Sequence, residues 1–280
     1  EIGHGNGLGA SSILIGRAAL SDVEMISLAK SYLKNTKLSV HVIPGIATIE
    51  RDIEPAIKLG VDIFRIASHC TEASITKSHI EYLASKGKTV YGALMMCATC
   101  PLDVLVSEVE KIKSYGASAV IIMDSTGSFF PKQVEECFKR LSQIGIKLGF
   151  HAHNNMGMAV ANSLIAIQNG AEIIDATVHG FGAGAGNTPL EVITTIHPSG
   201  DINVLEEIED LEYKTPITKT INILTAKYKL HSVFEQKILE SAQKYKVPLA
   251  KLVEELGNRK LVAGQEDLVR VIAAQMSEQL

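Results

Sequence analysis

The chain has 280 residues, 46% of them hydrophobic and 21% charged, and its 27 Lys and Arg against 31 Asp and Glu give a formal charge of −4. That balance suits a globular chain of one large or two modest domains, and it excludes a disordered tail, a collagen-like rod and a coiled coil. So near-neutral a charge gives no broad grip on nucleic acid, no apolar run reaches the ~18 residues of a membrane helix, and no basic-then-apolar leader opens the sequence. The predicted elements start with a strand stub, Glu1–His4, running into the Gly-rich stretch Gly5-Asn6-Gly7-Leu8-Gly9. Strands are then predicted over Leu38–Ile43, Val61–Ala67, Thr89–Met96, Ala119–Asp124, Ile146–His151 and Ile173–Val178. Amphipathic helices alternate with them, over Asp22–Leu33, Ile49–Leu59, Ile75–Lys86, Leu102–Tyr115, Pro131–Ile144 and Met156–Asn169. Gly60, Gly87, Gly116, Gly145 and Gly170 stand where helix C-caps are needed. Strand starts recur about every 25–30 residues, the βα rhythm of a parallel sheet.

An open doubly wound sheet competes with a closed barrel. No Gly-rich dinucleotide turn follows an early strand, however, and polar residues fit for chemistry end nearly every strand. A (β/α)8 barrel of the TIM type gathers all strand ends at one mouth and is the expectation. The six strands and the stub fall one βα unit short of eight, so the first unit is expected to be absent from this sequence. After Pro189 the rhythm stops. Val204–Leu211, Pro216–Tyr228, Val233–Tyr245, Pro248–Leu256 and Glu266–Met276 read as helices, with Pro198-Ser199-Gly200 and Thr215-Pro216 as breaks. The expected division is a catalytic barrel at 1–200 and a helical C-terminal domain at 201–280.

The sharpest local feature is Phe150-His151-Ala152-His153-Asn154-Asn155 at a strand end. Alternation puts His151 and His153 on one face, with Leu148, Phe150, Ala152 and Asn154 on the other. Two imidazoles so placed can bind one divalent cation; the competing role is a pair of pocket histidines bonded to each other or to backbone. Two protein ligands are too few, and a carboxylate from another strand end is expected as the third. Asp124 is a candidate, with capping of the turn Ser125-Thr126-Gly127 as its alternative. Gly182-Ala183-Gly184-Ala185-Gly186-Asn187 could offer backbone N–H groups to an anion, or simply turn tightly at the rim. Cys97-Ala98-Thr99-Cys100 lacks the second pair of a zinc ribbon, so small buried residues are expected there. The four cysteines are too few for a disulfide framework and fit a reducing, cytoplasmic setting. His41 and His179 alternate inward, where a structural or pocket-lining role is expected before a ligand role. Arg65 also alternates inward, which demands a carboxylate partner.

Taken together these stretches resemble one family. His4-Gly5-Asn6-Gly7-Leu8-Gly9, Pro44-Gly45-Ile46, Ala67-Ser68-His69-Cys70-Thr71-Glu72-Ala73, Leu94-Met95-Met96, Asp124-Ser125-Thr126-Gly127 and the run from His151 to Ser163 look like its successive strand ends. The run from Gly182 to Val192 and Glu254 to Asp267 are similar as well. The family is 4-hydroxy-2-oxovalerate aldolase, the class II pyruvate aldolase of the DRE-TIM metallolyase superfamily. The resemblance implies a TIM barrel with a helical C-terminal domain. It implies a divalent metal, Mn2+, held by His151 and His153 and by an Asp in a Thr-Leu-Arg-Asp-Gly segment that also supplies an Arg, with a His just beyond as base. That segment is not in this sequence, so the catalytic Arg and His are unassigned and Asp124 is demoted to a loop role. By the same resemblance Ser125 and His151 meet the substrate. The family's pocket tyrosine is not clearly retained; Tyr228 is the candidate for it, and His41 and His179 depart from the family pattern.

The expected activity is metal-dependent cleavage of a 4-hydroxy-2-oxo acid to pyruvate and an aldehyde. An acyl-CoA Claisen transferase related to isopropylmalate synthase, or a non-catalytic barrel, are the alternatives. The resemblance also implies an acylating aldehyde dehydrogenase as partner, docked on Val233–Leu256 and Glu266–Met276, in a homo- or hetero-oligomer.

Overall fold

In a computed structural model, the β-branched and small residues between the capping glycines form six parallel strands. They are β1 (Ser39–Val42), β2 (Ile63–His69), β3 (Thr89–Met95), β4 (Ala119–Asp124), β5 (Lys147–Ala152) and β6 (Ala171–Asp175), in the spatial order β1-β2-β3-β4-β5-β6. The structure describes residues 1–280 except 14, 198, 199, 210, 212–214, 262, 263 and 280. The break at Pro198-Ser199 and the Val262-Ala263 step of the last motif therefore lie outside the described residues. Ile2 bridges in parallel to Val40, its N–H donating to the Ser39 carbonyl at 3.0 Å, so the expected strand stub is present beside β1. Register is continuous across the early strands, with His41 opposite Arg65 and Arg65 opposite Tyr91.

Helices α1 (Asp22–Tyr32), α2 (Glu54–Lys58), α3 (Lys77–Ser85), α4 (Leu102–Ser114), α5 (Pro131–Leu141), α6 (Ala159–Gln168) and α7 (Leu190–Ile196) occupy the connections. Gly60, Gly87, Gly116, Gly145 and Gly170 all take positive φ, as the C-cap reading requires. The single helix expected over Ile49–Leu59 is split. A π turn, Ile49–Ile53, precedes α2, because Pro55 has no N–H to give to an α-type ladder. The strand expected over Ile173–Val178 is shifted: β6 ends at Asp175, and Val178–Gly180 form a 3-10 turn with His179 left-handed at φ 52. His179 therefore does not continue the inward alternation. Its N–H and Nδ1 both meet Glu191 of α7, at 3.1 and 3.5 Å.

Contacts divide the chain into two units: Glu1–Met95 with Cys100–Ile122 and Arg140–Leu148, and Met96–Thr99 with Met123–Lys139 and Gly149–Leu280. Within the first, Arg65 finds its expected carboxylate in Glu1, at 3.2 Å. Buried Glu108 is satisfied by the Ala73 N–H at 2.8 Å and Lys111 Nζ at 2.7 Å. Within the second, α8 (Val204–Glu209), α9 (Thr220–Lys227), α10 (Glu235–Tyr245), α11 (Leu249–Asn258) and α12 (Glu266–Ser277) follow α7. The last four share a core that includes Leu230, Phe234, Ile238, Leu252, Leu256 and Ile272. Helix α9 starts at Thr220, not Pro216; the Lys219 N–H is capped by Asn222 Oδ1 at 2.7 Å, and Pro216 lies against Gly186. Among the described residues no helix is long and apolar enough to cross a membrane.

Candidate active site

The site is built from the C-terminal ends of β4, β5 and β6. Alternation along β5 buries Leu148, Phe150 and Ala152 and leaves His151 and His153 half-buried on the other face. Phe150 is clamped from behind by Phe138, edge-on at 5.5 Å, and by Phe129 at 6.4 Å between ring centres. That packing fixes the pleat, and the pleat fixes the two imidazoles, whose ring centres are 5.1 Å apart.

Each imidazole is oriented through its Nδ1. His151 Nδ1 pairs with Asp175 Oδ2 at the end of β6, at 2.9 Å. His153 Nδ1 meets the Ala183 carbonyl at 3.3 Å. With Nδ1–H donated to an oxygen in both rings, Nε2 is the lone-pair nitrogen of each, the arrangement found behind metal-ligating histidines. Burial, then the neighbouring His151 and His231 charges, push His153 down to about 3 against a weaker opposing bond to Ala183. The ring is therefore neutral at physiological pH, as a ligand must be. Among the described residues no third His, Cys, Asp or Glu joins this pair in a metal-holding group.

Asp124 is not that third residue. Its carboxylate takes the Ser128 and Phe129 N–H groups, each at 3.0 Å, and the Thr126 hydroxyl at 3.4 Å. It caps the turn after β4. Burial pushes its carboxyl up, and those three bonds oppose the shift. The capped turn packs on the end of β5 through Gly127. A Cβ there would lie 2.8 Å from the Asn155 nitrogen, and its φ of +59 is a glycine conformation. Ser125 is buried beside it, its Oγ accepting the Met96 N–H at 2.9 Å and keeping its own proton to donate.

The Gly-rich loop after β6 is anchored, not open. Buried Asn155 accepts the Ala185 N–H at 2.9 Å, and Gly184 approaches so closely that a Cβ would sit 2.5 Å from Asn155 Oδ1. The loop's first service is thus to hold the Ala183 carbonyl against His153. Asn154 points away, its Oδ1 taking the Ala159 N–H of α6 at 3.2 Å. Sequence reasoning missed Asp175 as the residue that orients His151; its place at a strand end, on the face alternating with Ile174, was the available signal. Tyr228 packs against the core of the C-terminal helices, next to Gly257, and the group from that region whose charge reaches His153 is His231 instead. None of the four cysteines is in a disulfide, and burial pushes the Cys100 thiol up, away from reactivity.

The HMGL-like family profile matches residues 6–211, and the profile of a DmpG-like communication domain matches residues 222–278. Fold and site thus define an HMGL-like α/β barrel-family protein with a helical C-terminal domain. A 4-hydroxy-2-oxovalerate aldolase of Spirochaeta aurantia is 44% identical over 96% of this chain and 82% of its own length. One of Pectobacterium atrosepticum is 41% identical over 99% and 84%. The chain belongs to this family of carbon–carbon lyases, the 4-hydroxy-2-oxovalerate aldolases. The carboxyl transferase domain of Rhizobium etli pyruvate carboxylase shares the fold at 16% identity, with a TM-score of 0.73 over 93% of this chain and 51% of that one.

Proposed function

We propose that this protein cleaves 4-hydroxy-2-oxovalerate or a close 4-hydroxy-2-oxo acid to pyruvate and an aldehyde, with His151 and His153 as the two nitrogen ligands of a divalent cation, Mn2+. The observation that carries the reading is the imidazole pair with both Nδ1 atoms tied to oxygen and both Nε2 atoms left for a cation. The donor chemistry fits: two imidazoles with room for one carboxylate suit a first-row divalent ion. When bound, such an ion supplies Lewis acidity for the negative charge that cleavage develops on the pyruvate half.

The chain's own residues hold the substrate for that step. Ser125, with its proton to give, donates to the 2-oxo acid carboxylate. His151, fixed by Asp175, lines the same face. The C3–C4 bond breaks; its electron pair goes to C3, the C4 hydroxyl loses its proton as the aldehyde forms, and C3 is protonated to give pyruvate. The base for the C4 hydroxyl is assigned to none of these residues.

We assign the barrel to 1–200 and the helical domain to 201–280, in a cytoplasmic enzyme. The match of 222–278 to a communication domain supports docking of an acylating aldehyde dehydrogenase there. Exposed Val233, Leu239, Leu268 and Val271 offer apolar surface for it. Pyruvate release from 4-hydroxy-2-oxovalerate tests the activity: chelation abolishes it and Mn2+ restores it. Acetyl-CoA-dependent condensation in its place would favour a Claisen transferase.

A further inference from the structure

One buried imidazole stands outside these assignments. His231 heads the 3-10 turn Ser232–Phe234 between α9 and α10, and its Nδ1 accepts the Val233 N–H at 3.1 Å. A nitrogen that accepts there carries no proton, so the neutral ring has its proton on Nε2 and can only donate from it. Burial favours that neutral ring, pushing the imidazole down while Glu266 opposes the shift.

The segment that delivers His231 is tied to the strand ends by a chain of contacts. Lys229, left-handed at φ 56, donates from Nζ to the Ala98 carbonyl at 2.8 Å. Such a conformation in a non-glycine residue persists where surrounding contacts over-determine it. Ala98 lies in the turn Cys97–Thr99, and the N–H of Met96, one residue before that turn, reaches Ser125 Oγ at 2.9 Å. Ser125 follows Asp124, whose carbonyl takes the His153 N–H at 3.4 Å. At the end of this chain the His231 charge is felt at His153.

We propose that His231 is a substrate-binding residue of the same site, its Nε2–H donating a hydrogen bond to the C4 oxygen of the 4-hydroxy-2-oxo acid, the oxygen that leaves with the aldehyde. The proposal rests on the functional reading above, in which Ser125 and the cation-holding pair take the carboxylate and keto end. The C4 oxygen, two carbons further on, is the polar group still without a partner. A neutral donor suits it, because hydroxyl and aldehyde oxygens accept without carrying charge. His231 then decides how the aldehyde half is gripped, and with it which aldehydes the enzyme favours.

The test compares two reactions of the full-length, Mn2+-loaded enzyme: cleavage of 4-hydroxy-2-oxovalerate, and exchange of the pyruvate methyl protons in D2O followed by NMR. Only the first involves a C4 oxygen. His231→Ala removes both the donor and the cap on Val233; His231→Asn keeps a cap acceptor but is too short to present Nε2. Both variants are expected to lose about tenfold or more in kcat/KM for cleavage beyond any loss in exchange. With an active parent enzyme, equal losses in the two reactions, no loss in cleavage, or full rescue by Asn would overturn the proposal alone. A parent inactive in both reactions would overturn the functional reading, and this proposal with it.

Discussion

The ends of β4–β6 and the C-terminal helices use their buried polar groups in opposite ways. At the strand ends Asp124, Ser125, Thr126, Ser128, Asn155, Asn187 and Thr188 are all buried, and each printed bond they make holds a loop or a turn in place. In the helices the interior is a block of aliphatic side chains around Phe234, pinned by one polar cluster in which Glu235 accepts from Asn222 Nδ2 at 2.8 Å and Thr225 Oγ1 at 3.0 Å. The first region fixes atoms that must meet a ligand, and the second fixes helices against one another. Substitutions in the first should therefore cost activity before stability, and in the second the reverse.

The largest effect is expected from His151→Ala or His153→Ala. Each leaves at most one protein nitrogen ligand, so kcat should fall by about a hundredfold or more while thermal unfolding barely moves, since both rings are half-buried. A loss of kcat matched by a loss of fold would break the contrast. Phe234→Ala is its counterpart. Phe234 is fully buried in the helical core, so chemical denaturation should show a cost of about 3–5 kcal/mol. The kcat of the folded fraction should stay within a few-fold of the parent.

Asp175→Asn sits between the two. It keeps the shape behind His151 but withdraws the carboxylate, and about 10–100-fold weaker Mn2+ binding is expected by titration calorimetry. The smallest effect is a pH dependence of the metal-free chain. His153 stays neutral in the fold down to about 3, whereas the unfolded chain takes up the proton near the ordinary 6.5. Above that value neither state is charged and stability is unaffected. As pH falls from about 6.5 toward 3 the unfolded state alone binds the proton, and stability declines. Tm measured across that range should drop, and His153→Asn should flatten the decline.

Much of the scaffold was legible because its signals are local. β4 was read at its true limits from a β-branched run lying between Gly116-Ala117 and Thr126-Gly127. The face carrying His151 and His153 followed from alternation, since buried Leu148, Phe150 and Ala152 force their neighbours the other way. Errors came where long-range contacts overrule local pattern. Thr177 and Val178 have strand propensity, yet Thr177 is drawn into pairing with Thr188 and Leu190, and the chain turns through a left-handed His179 held by Glu191. Residues 216–219 have no helix-breaking signal beyond Pro216, but Pro216 is engaged by Gly186. The roles of Asp175 and the Ala183 carbonyl depend on how three strand ends come together, which no single window of sequence contains.

The central claim is that one cation is held by two imidazole nitrogens from β5. Electron spin-echo spectroscopy of the Mn2+-loaded, full-length protein reads this directly, through modulation from ligating 14N nuclei. The account predicts two coupled imidazole nitrogens in the parent, one in either single His→Ala variant and none in the double variant. Unchanged nitrogen coupling after both His151 and His153 are replaced would contradict it.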